Sequence, residues 1–155
     1  MATTTDRTAY ASNPTAGSAG KNAVSVLLYT HNAATYTRGA GDLDNIFNVY
    51  AGDTVLSVTA EVITAEGATC TFSVGDGDSA TGYINAADAN TTGWKVQGKA
   101  LTEGTPNTLT GFWPMKTYTA DDTIDVTWNT ASTDACKVKF RAIVIRADSS
   151  DSDVV

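Results

Sequence analysis

The chain has 155 residues, 42% hydrophobic and only 17% charged, with 10 cationic against 17 acidic side chains, a formal net charge of −7 and a pI near 4.4. That length fits one domain, which buries enough surface to fold without a metal or a disulfide framework. The negative field repels phosphate backbones and anionic headgroups, and no stretch approaches the ~18 apolar residues of a membrane span, so neither nucleic acid nor a membrane is an expected partner.

Residues 1–20, MATTTDRTAYASNPTAGSAG, hold few large apolar side chains and no apolar leader core. Such a stretch cannot bury enough surface to offset its ordering entropy, so it reads as an extended N-terminal arm on a sandwich domain of residues 21–147. Tyr10 and Pro14 are its candidate anchors on a partner. Synthesis in a cytoplasm as a soluble chain is expected.

From there the signal is period two, broken by Gly, Asn and Asp, with no convincing amphipathic helix. Candidate strands cover residues 23–30, 46–50, 54–65, 68–74, 93–101, 108–113, 123–129 and 136–146. In 54–65, Leu56, Val58, Ala60 and Val62 form a dry face against Ser57, Thr59 and Glu61. In 123–129, Ile124, Val126 and Trp128 alternate with Thr123, Asp125 and Thr127. The last strand turns Val138, Phe140, Ala142 and Val144 inward and Lys137, Lys139 and Arg141 outward; Ile143 and Ile145 on the outward side imply that this end is covered on both faces.

Turns at Ala51-Gly52-Asp53, Glu66-Gly67 and Ala120-Asp121-Asp122 separate the strands. Residues 75–92, GDGDSATGYINAADANTT, form a long loop with a short helical turn at 85–89, pinned to the sandwich by Tyr83 and Ile84. Residues 148–155 are a solvated acidic tail. The fold class is all-β, a two-sheet antiparallel sandwich for which a jelly roll is the commonest eight-stranded form. An immunoglobulin-like sandwich fits less well, because the cysteines lack the intervening Trp arrangement.

Catalytic parts are scarce. The single histidine, His31, reads as a surface residue at a strand end, and no nucleophile elbow, zinc-protease pair or phosphate-cradling loop is present. Cys70 and Cys136 share parity with core residues and are too far apart in sequence for a local metal pair, which leaves buried thiols or a bridge between facing strands. Asp76, Asp78, Ser79, Asn85 and Asp88 supply oxygens of the kind calcium takes, but an Asp-Gly turn explains them without an ion, so no metal or cofactor is expected. Asp121 with Asp122, or Asp42 with Asp44, has the composition of a glycosidase pair, although adjacent acids before a strand usually cap a turn. Trp94 and Trp113 are candidate sugar platforms, while Trp128 has core parity. Within the long loop, Asp76, Asp78, Tyr83 and Asp88 are the candidates for partner contact.

Three segments, GDTVLSVTAEVITAEG from Gly52, CTFSVGDGDSATGYINAAD from Cys70 and YTADDTIDVTW from Tyr118, resemble those of small virion proteins of tailed bacteriophages. The likeness runs from about Tyr50 to Ala147 and is nearest to capsid decoration, or cement, proteins. It implies a non-enzymatic homotrimer on the virion surface, bound to the major capsid protein. Two alternatives stay open: a receptor- or glycan-binding module of a head fibre or tail, and a carbohydrate-active enzyme working through aspartates.

Overall fold

The structure, a computed structural model, describes residues 4–6 (backbone only), 24–96, 115–131 and 135–147. Tyr10, Pro14, Trp113, the candidate strand 108–113 and the acidic tail lie outside the described residues.

The described residues form ten strands: β1 (Thr4–Asp6), β2 (Val24–Asn32), β3 (Leu43–Val49), β4 (Thr54–Thr64), β5 (Thr71–Gly75), β6 (Ile84–Asp88), β7 (Gly93–Val96), β8 (Lys116–Thr117), β9 (Asp122–Trp128) and β10 (Lys137–Ile145). They make two sheets, the first ordered β1-β3-β9-β5-β6 and the second β2-β10-β4-β7, with β8 also on β4. Every pairing is antiparallel except β1 on β3, where Thr4 to Asp6 run parallel to Leu43 to Asn45. Thus the two-sheet sandwich read from period two is the observed architecture, and a piece of the expected arm adds a backbone strand to its edge.

The chain crosses between sheets at most steps, so the inward residues of successive strands face one another. Phe72 on β5 meets Phe140 on β10 edge-on at 5.4 Å, and Trp128 on β9 lies 5.8 Å from Phe72. Val58, Ala60, Val62, Ile124, Val126, Val138 and Val144 complete a fully buried layer. At the turn after β3, Gly52 takes φ of 88°, a left-handed conformation that a side chain would strain, and a Cβ there would meet the Ala147 side chain at 2.6 Å.

The structure corrects three local readings. Leu56 is not a core residue: the β4–β10 register shifts between Ile143, opposite Ser57, and Val144, opposite Val55, so Leu56 is the extra residue of a bulge and Val55 takes the buried place. His31 is not on the surface; it is 1% exposed on the inward face of β2, with its ring 4.3 Å from that of Trp128. The helical turn placed at 85–89 is instead strand β6, paired with β5 across a register shift and containing Ala86 at φ of 47°.

Candidate functional site

β2 lies at one edge of the second sheet, and strict alternation sends its even-numbered apolar residues outward. Val24 is 62% exposed, Val26 52% and Leu28 39%. Across the ladder Ile145 stands opposite Val24 and Ile143 opposite Val26, both on the same outer face. At the far edge, Trp94 and Val96 on β7 stand opposite Glu61 and Thr59 and are about half exposed. Arg141, opposite Leu28, places its guanidinium 4.4 Å from the Trp94 ring centroid and 3.1 Å from Glu61 Oε2. The outer face of the second sheet is therefore apolar at the Val24 end and basic at the Lys137, Lys139 and Arg141 end.

The outer face of the first sheet is chemically different. There Asn45 stands opposite Asp125 and Asn48 opposite Thr123. An exposed apolar sheet face beside a strand that forms the sheet edge among the described residues is a surface that soluble domains normally cover or charge. The contrast makes the second sheet's outer face the candidate assembly surface.

Asp125 adds a pH-sensitive feature to the polar face. Its Oδ1 and that of Asn45 opposite are both buried, with no hydrogen-bond partner among the described residues. Burial pushes the Asp125 carboxyl up to about 6, with the charges of Asp122 and Asp76 adding to the effect and a hydrogen bond with Thr123 opposing it. Because the folded value lies above the unfolded one, the folded state takes up a proton between about pH 4 and 6; this contribution is complete below the unfolded value and lost as pH rises through the folded one. Asp125→Asn should therefore gain about 1 kcal/mol relative to the parent at pH 7, after discounting for residual water contact, and lose that advantage near pH 4. Urea midpoints of both proteins across that range test this; equal offsets at both pH values would refute it.

The predicted loop residues divide into two groups. Asp76 is buried: its Oδ1 accepts from the backbone N–H of Asp78 at 3.0 Å and of Ser79 at 3.2 Å, and its Oδ2 accepts from the Tyr118 hydroxyl at 2.6 Å and Lys116 Nζ at 2.7 Å. Tyr83, also buried, shares a 2.8 Å hydrogen bond with Tyr118, and Asp78 reaches Lys116 Nζ at 2.7 Å from a side chain that is 77% exposed. Burial alone would lower the Lys116 pKa, but its bonds to the two aspartates outweigh that and raise it, whereas burial raises both tyrosines. The ammonium of Lys116 thus stands between Asp76 and Asp78 and pairs with both carboxylates. Asp88 is apart, accepting from Asn90 N at 2.7 Å and the Thr91 hydroxyl at 2.9 Å. Lys116 and Tyr118 carried no sequence signal, because their partner Asp76 lies about forty positions away.

The carboxylate pairs serve turns and the core. Asp121 Oδ1 accepts from Ala51 N at 3.0 Å, Asp122 Oδ1 from Thr123 N at 2.8 Å, and Asp42 Oδ2 from Gly39 N at 2.8 Å. Asp44 is fully buried against Arg38 and Trp128. One face of Trp94 is taken by Arg141, and Trp128 is a core residue. Cys70 and Cys136 are both fully buried and share a hydrogen bond, which with burial raises the pKa of Cys70.

No family model and no curated protein matches the chain. Its fold is similar to chains in three solved phage capsid structures. One is from the acidic stable capsid structure of Helicobacter pylori bacteriophage KHP30, with 15% identity, TM-score 0.58, and 83% of this chain and 91% of that chain covered. Another is from the capsid of Ralstonia phage GP4, with 10% identity, TM-score 0.61, and 94% and 99% covered. A third is from the cyanophage Pam1 capsid asymmetric unit, with 23% identity, TM-score 0.57, and 90% and 96% covered. At these identities the likeness is one of fold.

Proposed function

We propose that this chain is a structural, non-enzymatic virion protein of a bacteriophage that binds the outer surface of the capsid, as a homotrimer, and cements neighbouring subunits of the major capsid protein. The observation that carries this reading is the unequal pair of outer faces: Val24, Val26, Leu28, Ile143 and Ile145 make one sheet apolar at an exposed edge, while Asn45, Asn48, Thr123 and Asp125 make the other polar. A sandwich lying on a shell needs such a difference, with the apolar face desolvated against the shell. The basic end of the apolar face suits an acidic shell surface, although the chain as a whole is acidic. The fold likeness to chains of three phage capsids supports the same assignment.

Within residues 1–20, Thr4–Asp6 form β1 on the edge of the first sheet, so the stretch that follows β1 is the proposed attachment arm, with Tyr10 and Pro14 as the anchors by which it would order in a groove between shell subunits. Asp78 is the exposed loop residue offered to a partner; Asp76 and Tyr83 hold the loop beneath it. Trimerisation would multiply weak contacts through effective concentration.

Co-sedimentation with undecorated shells tests the surface. Val26→Asp with Ile143→Lys keeps a complementary cross-strand pair at two exposed positions, so the melting temperature should change little. Taking this charged pair out of water against an apolar shell surface should weaken binding by about 100-fold or more, because desolvation outweighs its mutual attraction. Full-strength binding by the folded double variant would remove this face from the mechanism and leave the arm and loop as the contacts.

A further inference from the structure

At one end of the sandwich the fold collects Glu66, Cys70 and Cys136, all buried, with their sulfurs and a carboxylate oxygen all within 4.8 Å of one another. Glu66 lies between β4 of the second sheet and β5 of the first, Cys70 just before β5, and Cys136 just before β10 of the second. We propose that these three side chains form a binding site for one thiophilic divalent cation of the zinc class, which ties the two sheets together.

Donor chemistry carries the first step. Two thiolates and one carboxylate match the borderline-soft preference of zinc, cobalt and cadmium, and calcium or magnesium would reject the sulfurs. Zinc–sulfur bonds of about 2.3 Å at tetrahedral angles separate two sulfurs by roughly 3.8 Å, so side-chain adjustment of about 1 Å closes the set. Water completes the fourth position.

The backbone around the three donors is already fixed. The Asn90 side chain accepts from Cys70 N at 2.9 Å and donates to the Glu66 carbonyl at 3.3 Å. Ala89 brackets the same pair, its carbonyl accepting from Glu66 N and its N–H donating to the Cys70 carbonyl, both at 2.9 Å. Glu66 Oε2 accepts from Cys136 N at 3.1 Å, and the Cys136 carbonyl accepts from Ala33 N at 2.9 Å. Outer contacts of this kind hold metal ligands in register. A carboxylate buried beside two thiols is also a costly placement that a divalent ion rationalises. Binding replaces the thiol protons by the metal and releases them to solvent, so affinity should fall as pH is lowered.

The full-length protein purified under reducing conditions should carry about one zinc per chain by elemental analysis, the stoichiometry of a single site. After stripping, it should take up cobalt(II) with an intense sulfur-to-metal charge-transfer band. Cys70→Ser and Cys136→Ser should each abolish stoichiometric zinc, whereas Glu66→Gln should keep the charge-transfer band with affinity reduced about tenfold or more. The cobalt spectrum of the parent protein decides the matter even if a variant fails to fold. Absence of that band in the folded, stripped parent would overturn the proposal. So would finding the two cysteines joined in a disulfide in protein isolated without added reductant.

Discussion

Replacing Asp44 with alanine should cost about 3–5 kcal/mol of folding stability, a large fraction of what a domain of this size possesses. Asp44 is fully buried on β3, and its carboxylate receives Arg38 Nε at 3.0 Å, the Arg38 Nη2 ion pair at 2.8 Å and Trp128 Nε1 at 3.0 Å. The pair is tight enough that its hydrogen bond raises the Arg38 pKa although burial opposes the charge. Deletion of the carboxylate leaves a guanidinium that is 8% exposed and a buried indole N–H with no acceptor from Asp44. Asp44→Asn keeps an oxygen for the indole and should fall about midway. Arg38→Met combined with Asp44→Leu removes both charges and should recover much of the loss, because buried ion pairs offset their own desolvation only narrowly. Urea unfolding followed by circular dichroism measures all four proteins. A loss below about 1 kcal/mol for Asp44→Ala would mean that the pair is solvated.

Asp44 also illustrates what a sequence of this kind conceals. Its spacing from Asp42 suggested acid/base chemistry, and only the fold places Arg38 and Trp128 around it. Alternation, by contrast, was legible wherever one face is dry: Ile124, Val126 and Trp128 on β9 and Val138, Phe140, Ala142 and Val144 on β10 are all buried as their parity implies. The signal failed where the ladder is irregular. One bulge exchanged Leu56 for Val55, and β6 was invisible because it is short, without regular alternation, and broken by Ala86 in a left-handed conformation. β1 and β8 hold three and two residues, too few for a period to register.

The apolar outer face was half legible. Ile143 and Ile145 on the polar side of β10 implied a strand end covered on both faces, whereas Ile143 is exposed in the structure, and the register that sets Val26 and Val24 beside them is a property of the sheet. The cysteine pair was less accessible still, since Cys136 and Glu66 are 70 positions apart and meet only because the sandwich closes. Long-range pairing is what single-sequence patterns carry least of, and both candidate sites are made of it.

The loop after β5 should depend on Asp76 more than on any other of its side chains, and Asp76→Ala should cost about 3–5 kcal/mol. Four donors converge on this buried carboxylate: two loop backbone N–H groups, the Tyr118 hydroxyl and the Lys116 ammonium. Alanine would strand Tyr118 between its remaining bond to Tyr83 and an empty acceptor position, and would leave Lys116 with only the exposed Asp78 as its aspartate partner. The loop has no easy way to relax around the loss, because Gly75 at its start packs so closely that even a Cβ would sit 1.9 Å from the Ser79 carbonyl oxygen. Tyr118→Phe deletes one donor and one acceptor and should cost less, about 2 kcal/mol, since its bond to the buried carboxylate is charge-assisted. Hydrogen exchange of the Asp78 and Ser79 amides should rise sharply in Asp76→Ala, while amides of β9 and β10 exchange only as fast as the reduced global stability requires. Unchanged protection at Asp78 and Ser79 would show that the loop is held by Tyr83 and Ile84 packing alone, with the carboxylate network contributing little.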